Sequence, residues 1–224
     1  MNFTAFTLSG KDADKFLQGQ ITANTAKIGS EYLPTAICNL KGRVQFGLWI
    51  KKINDAFVIV LSSDLADDFQ AHIKKYGTFS KISLSKPIQI YPCVMNHVPT
   101  FLENQSEADW QTWQEVSLKT GNYWITAKTS EQFQPQELRL HQRGGVDYDK
   151  GCYLGQEIIA RLWFKATPKA WLHLVKAGDI DIDNKVTVVN SDGQLALVVA
   201  RPDDLKNLTV LSLPDNLNGS VARG

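Results

Sequence analysis

Two apolar runs separated by four residues constrain this chain more than any other stretch. Residues 32–39 and 44–51 are each long enough for a strand, and Leu40-Lys41-Gly42-Arg43 between them reads as a short hairpin connection carrying a glycine. Both strands are expected to be mostly buried. Residues 3–8 and the β-branched run 56–61 add two more strands. A short helix over 11–18 would turn Ala13, Phe16 and Leu17 inward, and a second, capped by Ser63-Asp64 and running to about Tyr76, would bury Leu65, Phe69, Ile73 and Tyr76.

Further along, residues 103–109 read as a polar loop, and 110–118 and 122–127 as strands paired around Lys119-Thr120-Gly121. Four short strands follow at 171–175, 185–189, 194–199 and 208–211, with turns at Gly178, 190–193 and Pro202-Asp203-Asp204. That regular spacing predicts a small C-terminal β-barrel. The fold class is therefore α+β, with antiparallel sheets and helices.

The chemistry concentrates in one stretch, Asp149-Lys150-Gly151-Cys152-Tyr153-Leu154-Gly155-Gln156-Glu157-Ile158-Ile159-Ala160-Arg161. Gly151 and Gly155 bracket Cys152 and predict a tight turn. A helix is expected from Gln156 to Trp163, with Glu157 in its first turn. A thiol ahead of a helix N-terminus, with Lys150 two residues away, would be a better nucleophile or metal ligand than a free cysteine. The alternative is a small core hydrophobe.

The run Lys150-Gly151-Cys152-Tyr153-x-Gly155-Gln156-Glu157 resembles, without a mismatch, the K-G-C-Y-x-G-Q-E signature of the YgfZ family of folate-binding proteins. That family is tied to iron–sulfur enzyme maintenance and tRNA modification. It is related to the glycine-cleavage aminomethyltransferase, or T-protein. Leu8-Ser9-Gly10-x-Asp12-Ala13-x-x-Phe16-Leu17-Gln18-Gly19-Gln20 is similar to the family's opening helix, and 134–146 resumes its pattern.

The resemblance implies a T-protein-like folate-binding fold. It also implies a tetrahydrofolate or one-carbon derivative as cofactor, with Phe3 as the N-terminal aromatic on the folate and Trp124 as the second, core filling being the alternative for each. Relatives are longer, so 1–168 is expected to form the folate-binding domain with a middle lobe shortened at about 87–135, and 169–224 the small barrel. Cys152 and Lys150 are the candidate catalytic pair, with Gly151, Tyr153, Gly155, Gln156, Glu157 and Arg161 completing the motif. Iron–sulfur enzymes or their assembly proteins are the implied partners.

Two other functions stand beside this one. An aminomethyl or other one-carbon transferase would need the carboxylate pair that T-proteins carry after the N-x-x-G turn, and Phe46 and Gly47 stand there instead. Neither can move a proton, so a glycine-cleavage enzyme is not expected. The third possibility is an interaction protein with a vestigial folate pocket.

Composition narrows the rest. With 24 Lys and Arg against 23 Asp and Glu, the net charge of +1 advertises no nucleic-acid partner. The cluster Lys74-Lys75-Tyr76, Phe79, Lys81 and Lys86 reads either as a phosphate-tracking face or, as expected here, as a solvated helix end. Direct nucleic-acid binding is not expected. Cys38, Cys93 and Cys152 are far apart, and His72, His97, His141 and His173 form no ligand pair, so no metal site is expected and no cluster held by cysteines alone. Met1-Asn2-Phe3 shows no basic-then-apolar leader and no apolar run spans a bilayer, which predicts a cytoplasmic protein with no membrane partner.

Overall fold

A computed structural model describes residues 2–181, 183–221 and 223. The hairpin read from the sequence forms one end of its larger sheet. Strand β2 (Leu33–Cys38) pairs antiparallel with β3 (Val44–Ile53), from Leu33 opposite Ile50 to Cys38 opposite Val44, and Gly42 takes the left-handed conformation at φ 69° in the connection. Strand β1 (Phe3–Ser9) runs antiparallel beside β4 (Ala56–Ser62) and beside β6 (Ile88–Met95), with β5 (Ser83–Leu84) pairing its C-terminal end. Adding β7 (Val98–Leu102) gives a seven-stranded sheet in the order β2-β3-β4-β1-β6-β7, with β5 against β1.

Helix α1 (Ala13–Gln18) buries Ala13, Phe16 and Leu17 as its spacing predicts. Helix α2 (Ala66–Tyr76) buries Phe69, His72 and Ile73, with Leu65 buried just ahead of it, while Tyr76 stays 39% exposed. The predicted Ser63-Asp64 cap is not formed. Residues Ser63–Leu65 make a 3-10 turn, and Asp64 instead accepts from the Ser62 hydroxyl at 2.5 Å and from the Ala127 backbone N–H at 3.0 Å.

The middle of the chain departs most from its sequence reading. Residues 110–118 are not a strand but helix α3 (Trp110–Lys119), because Asp109 caps it by accepting from the Thr112 N–H at 3.0 Å, and Trp113 and Ser117, four apart, fall on one buried face. Residues 122–127 are irregular; tryptophan and isoleucine there fill space between layers without a strand partner. The β6–β7 hairpin escaped sequence reading. Its turn residues Asn96 and His97 have φ 50° and 64°, the left-handed pair a two-residue hairpin turn requires.

After α4 (Gln156–Lys165), strands β8 (Trp171–Lys176), β9 (Thr187–Ser191), β10 (Leu195–Ala200) and β11 (Val210–Leu211) form a four-stranded antiparallel sheet in the order β11-β8-β10-β9. Leu172, Leu174, Leu197 and Val199 join the main core, while Val175, Ala196, Val198 and Ala200 form a small core of their own on the opposite face. Alternation along β8 and β10 thus gives this sheet two buried faces. Among the described residues, no helix is long and apolar enough to cross a membrane.

Candidate functional site

The cysteine loop is held from below and open above. Lys150 is buried, and its ammonium donates to the carbonyls of Ile21 and Ala23, each at 2.7 Å, 4.8 Å from the centre of the Tyr153 ring. Burial pushes the Lys150 pKa down to about 8, against a smaller opposing pull from Asp147. The expectation that Lys150 activates the neighbouring thiol therefore meets a different arrangement: its donors are committed to residues 21 and 23, and it pins the loop to the segment after α1. Leu154 N–H donates to Gly19 O at 3.1 Å on the same side.

Gly155 explains the second anchor. Its φ is 78°, and a Cβ there would lie 2.5 Å from the Asn39 carbonyl oxygen, so only glycine lets the loop rest on the β2–β3 connection. Gly151 is different. It has no positive φ and open space around it, so the tight-turn requirement inferred for both glycines belongs to Gly155 alone. Tyr153 and Ile159 point into the core; Cys152, Glu157 and Arg161 are exposed. Cys152, Gln156 and Glu157, with Gly19, Gln20 and Leu40, line a cavity of about 460 Å³. Cys38 and Cys93 are buried, and burial pushes both thiols upward in pKa, which leaves Cys152 as the exposed thiol.

Beneath the loop lies a polar layer that sequence reading missed. Asp147 accepts from Lys27 at 2.7 Å and from the Asp149 N–H at 2.9 Å, and the Lys27 contact holds its carboxyl below the usual range. Tyr148 stacks on Trp163 at 4.3 Å and 5°, with His141 5.1 Å from the same indole. Tyr148 and Gln136 interact through their side chains, while the Tyr153 hydroxyl and both ring nitrogens of His141 are buried without a hydrogen-bond partner among the described residues. Asp and His separated by chain distance carry no sequence signal for such a layer; it exists only once the motif folds over residues 21–27.

The two expected folate contacts come together, but inside. Phe3 is wholly buried, with Phe101, Trp113, Trp49 and Trp110 at ring distances of 5.0 to 6.1 Å. Trp124 is buried against Trp110 and Trp113 at 5.8 and 5.4 Å. Both are buried among these neighbours in edge-on and tilted contacts, so for these two residues the core-filling alternative describes the geometry. Phe46 packs on Phe69 and His72, and a Cβ at Gly47 would lie 2.7 Å from Ile125 Cγ1. There is neither a carboxylate at these positions nor room to add one at Gly47.

Beside the aromatic cluster lies an open cleft of about 350 Å³, lined by Tyr32, Trp49, His97, Asn122 and Arg143 among others. Asn122 Oδ1 accepts from the Trp49 indole at 3.0 Å and from the Arg143 guanidinium, which also lies over the Tyr123 ring at 5.4 Å. No carboxylate pairs with Arg143 among the described residues. Aromatic edges, an amide and a cation without a carboxylate partner suit a planar ligand with an anionic tail. Its volume stands at the low end of the roughly 300–1,000 Å³ typical of small-molecule sites.

No protein-family model matches the chain. It is similar to proteins named tRNA-modifying protein YgfZ: 26% identical to that of Cronobacter sakazakii over 73% of this chain, spanning 65% of the relative's length, and 25% identical to those of an Enterobacter species and Escherichia coli O157:H7 over 95% of this chain and 87% of theirs. The last two alignments run to 284 positions against a 224-residue chain, so these relatives carry inserted residues that it lacks. Among solved structures, glycine cleavage system aminomethyltransferase T from Bartonella henselae matches with a TM-score of 0.69 at 12% identity, over 89% of this chain and 76% of that one.

Proposed function

From the premise that this chain is a homologue of the YgfZ proteins built on the aminomethyltransferase T fold, we propose that it supports tRNA modification, as its relatives' name states, by presenting Cys152 to an iron–sulfur enzyme or its assembly partner. One observation carries the reading: of three cysteines, the one in the motif is exposed at the wall of a cavity, on a loop fixed at Lys150 and Gly155. An anchored, accessible thiol can act as a nucleophile or as a soft ligand shared with a partner; one cysteine cannot hold a cluster alone. A free exposed thiol also fits a reducing compartment such as the cytoplasm.

For folate, the reading takes the cleft, not the buried pair Phe3 and Trp124. Arg143 would hold the glutamate carboxylates, and Tyr32 and Trp49 would border the ring. Bound there, a tetrahydrofolate would supply one-carbon carriage. A second reading, an interaction protein with a vestigial pocket, draws on the closed packing of Phe3 and Trp124.

The test is Cys152→Ala expressed in place of the wild type, with modified nucleosides in bulk tRNA quantified, and calorimetric titration of wild type and Arg143→Ala with tetrahydrofolate and its 5-formyl derivative. Expected are loss of modification at unchanged melting temperature, and folate binding that Arg143→Ala weakens. Full modification with Cys152→Ala would end the thiol reading; absence of folate binding by the wild type would favour the vestigial pocket.

A further inference from the structure

We infer that the C-terminal end of α2 and the loop after it form a docking face for single-stranded RNA, continuous with the cavity that holds Cys152. The inference rests on the proposed role in tRNA modification and adds to it a direct contact with the RNA.

Charge is the first observation. Residues 74–86 contain Lys74, Lys75, Lys81 and Lys86 and no Asp or Glu. All four lysines are exposed, and none takes part in the four ion pairs of the described residues. The carboxylate bonded to this segment, Asp12, accepts from the Lys81 backbone N–H at 2.7 Å. Lysines at a helix end often serve its exposed carbonyls. Here the Thr78 hydroxyl already donates to the carbonyls of Lys74 and Lys75 at 3.0 and 3.2 Å, and Gly77 N–H to that of Ile73 at 2.8 Å. Lys75 Nζ lies 5.2 Å from the centre of the Tyr76 ring, but no carboxylate among the described residues holds any of the four, which leaves their charge for an external anion; the net charge of +1 conceals it because the balancing acids lie elsewhere in the chain.

The second observation is an aromatic ring where water should exclude it. Phe79 is 100% exposed among these lysines, with Tyr76 at 39%. The loop that carries Phe79 is pinned: Ser80 N–H donates to Gly77 O and Ile82 N–H to Ser80 O, each at 2.9 Å, and a Cβ on Gly77 would lie 2.6 Å from both Ile73 O and Ile82 Cδ1. A fixed, exposed ring flanked by cations is the arrangement on which unpaired bases stack while phosphates are neutralised, with little dependence on sequence.

The third is position. Tyr76 packs at a tilt on His72 with ring centres 4.5 Å apart, His72 Nε2 shares a 2.9 Å hydrogen bond with Gln20 Oε1, and Gln20 lines the Cys152 cavity. A strand laid on this face leads toward the thiol.

The experiment is fluorescence-anisotropy titration of the full chain with labelled oligouridine and with an unmodified tRNA transcript, at several salt concentrations. Vesicles of phosphatidylserine and phosphatidylcholine serve as a second polyanion. Wild type is expected to bind both RNAs. Phe79→Ala, whose ring touches no core and whose melting temperature should match wild type, is expected to weaken oligouridine binding by about ten-fold. Lys74→Ala with Lys75→Ala should lower the logarithmic salt slope by about 1.4, at about 0.7 per phosphate contact. No RNA binding by the wild type, binding indifferent to both variants, or binding to vesicles but not RNA would overturn the inference. Cys152→Ala separates the two proposals: modification that depends on Cys152 without RNA binding sinks only the docking face, and RNA binding with modification indifferent to Cys152 sinks only the thiol reading.

Discussion

The aromatic cluster around Phe3 and the loop around Cys152 were both legible as places for a ligand, yet one is closed and the other open. In the cluster, Trp113 packs at a tilt against both Phe3 and Trp124, and all three are buried, so the area that would attract a flat ligand is already covered. In the loop, attachment runs through backbone and through Lys150 Nζ, which leaves the small side chain of Cys152 outside. The difference teaches that residue type sets what a side chain can bind, while its neighbours decide whether it is available. Large rings find partners within the chain; a thiol between glycines has nothing to pack against.

The largest way to break the comparison is Trp124→Ala. If the ring is core, truncation should cost about 3–5 kcal/mol of unfolding free energy, since a large buried side chain leaves a cavity that its neighbours fill only in part. Urea unfolding measures it. A near-neutral effect on stability with a marked loss of tetrahydrofolate affinity would return Trp124 to the ligand surface and erase the contrast between the two regions.

A smaller, graded effect sharpens it, because the layer beneath the open loop is polar where the aromatic cluster is not. Burial drives His72, His141 and His173 down to about 4 from 6.5. Each is neutral in the folded chain where the unfolded chain takes up a proton. Their contribution is therefore fully present above about pH 6.5 and is lost as the pH falls through about 4. Each histidine adds at most about 1.4 kcal/mol per pH unit to the slope. Glu137 works in the opposite sense: burial raises its carboxyl, and the cost is relieved as it protonates. Unfolding free energies measured from pH 7 down to 4 should fall, and His141→Gln should flatten the decline. An unchanged slope in that variant would mean that the ring beside Trp163 does not stay neutral.

How much of this could be read from the sequence follows from the range of the interactions. The β2–β3 hairpin and the motif were legible because their signals are local: a glycine at φ 69°, and Gly155 at φ 78° just ahead of a helix. Helix α3 was misread because two tryptophans favour a strand by propensity, while the deciding facts were the Asp109 cap and a core waiting on one side. Lys150 looked like a thiol activator because sequence gives proximity along the chain but not direction; its ammonium instead reaches residues 21 and 23. The closure around Phe3 depends on Phe101, Trp110 and Trp113, nearly a hundred residues or more away in the chain, and no local pattern encodes it.

The smallest expected effect is the one on which the open side of the comparison depends. Cys152→Ala removes a side chain that touches water and the rim of a cavity, so unfolding free energy should stay within about 0.5 kcal/mol of wild type. Brief treatment of the native protein with iodoacetamide, followed by digestion and mass spectrometry, should label Cys152 while sparing Cys38 and Cys93, which are 0% and 4% exposed. Burial also raises both of those thiols, so neither offers the thiolate that alkylation requires. Under denaturant all three should react alike. Native labelling of Cys38 would show that the loop resting on Asn39 opens as a unit, because a Cβ at Gly155 would stand only 3.3 Å from the Cys38 side chain. A marked loss of stability in Cys152→Ala would instead make the thiol part of the packing, and the contrast with Trp124 would then be one of degree.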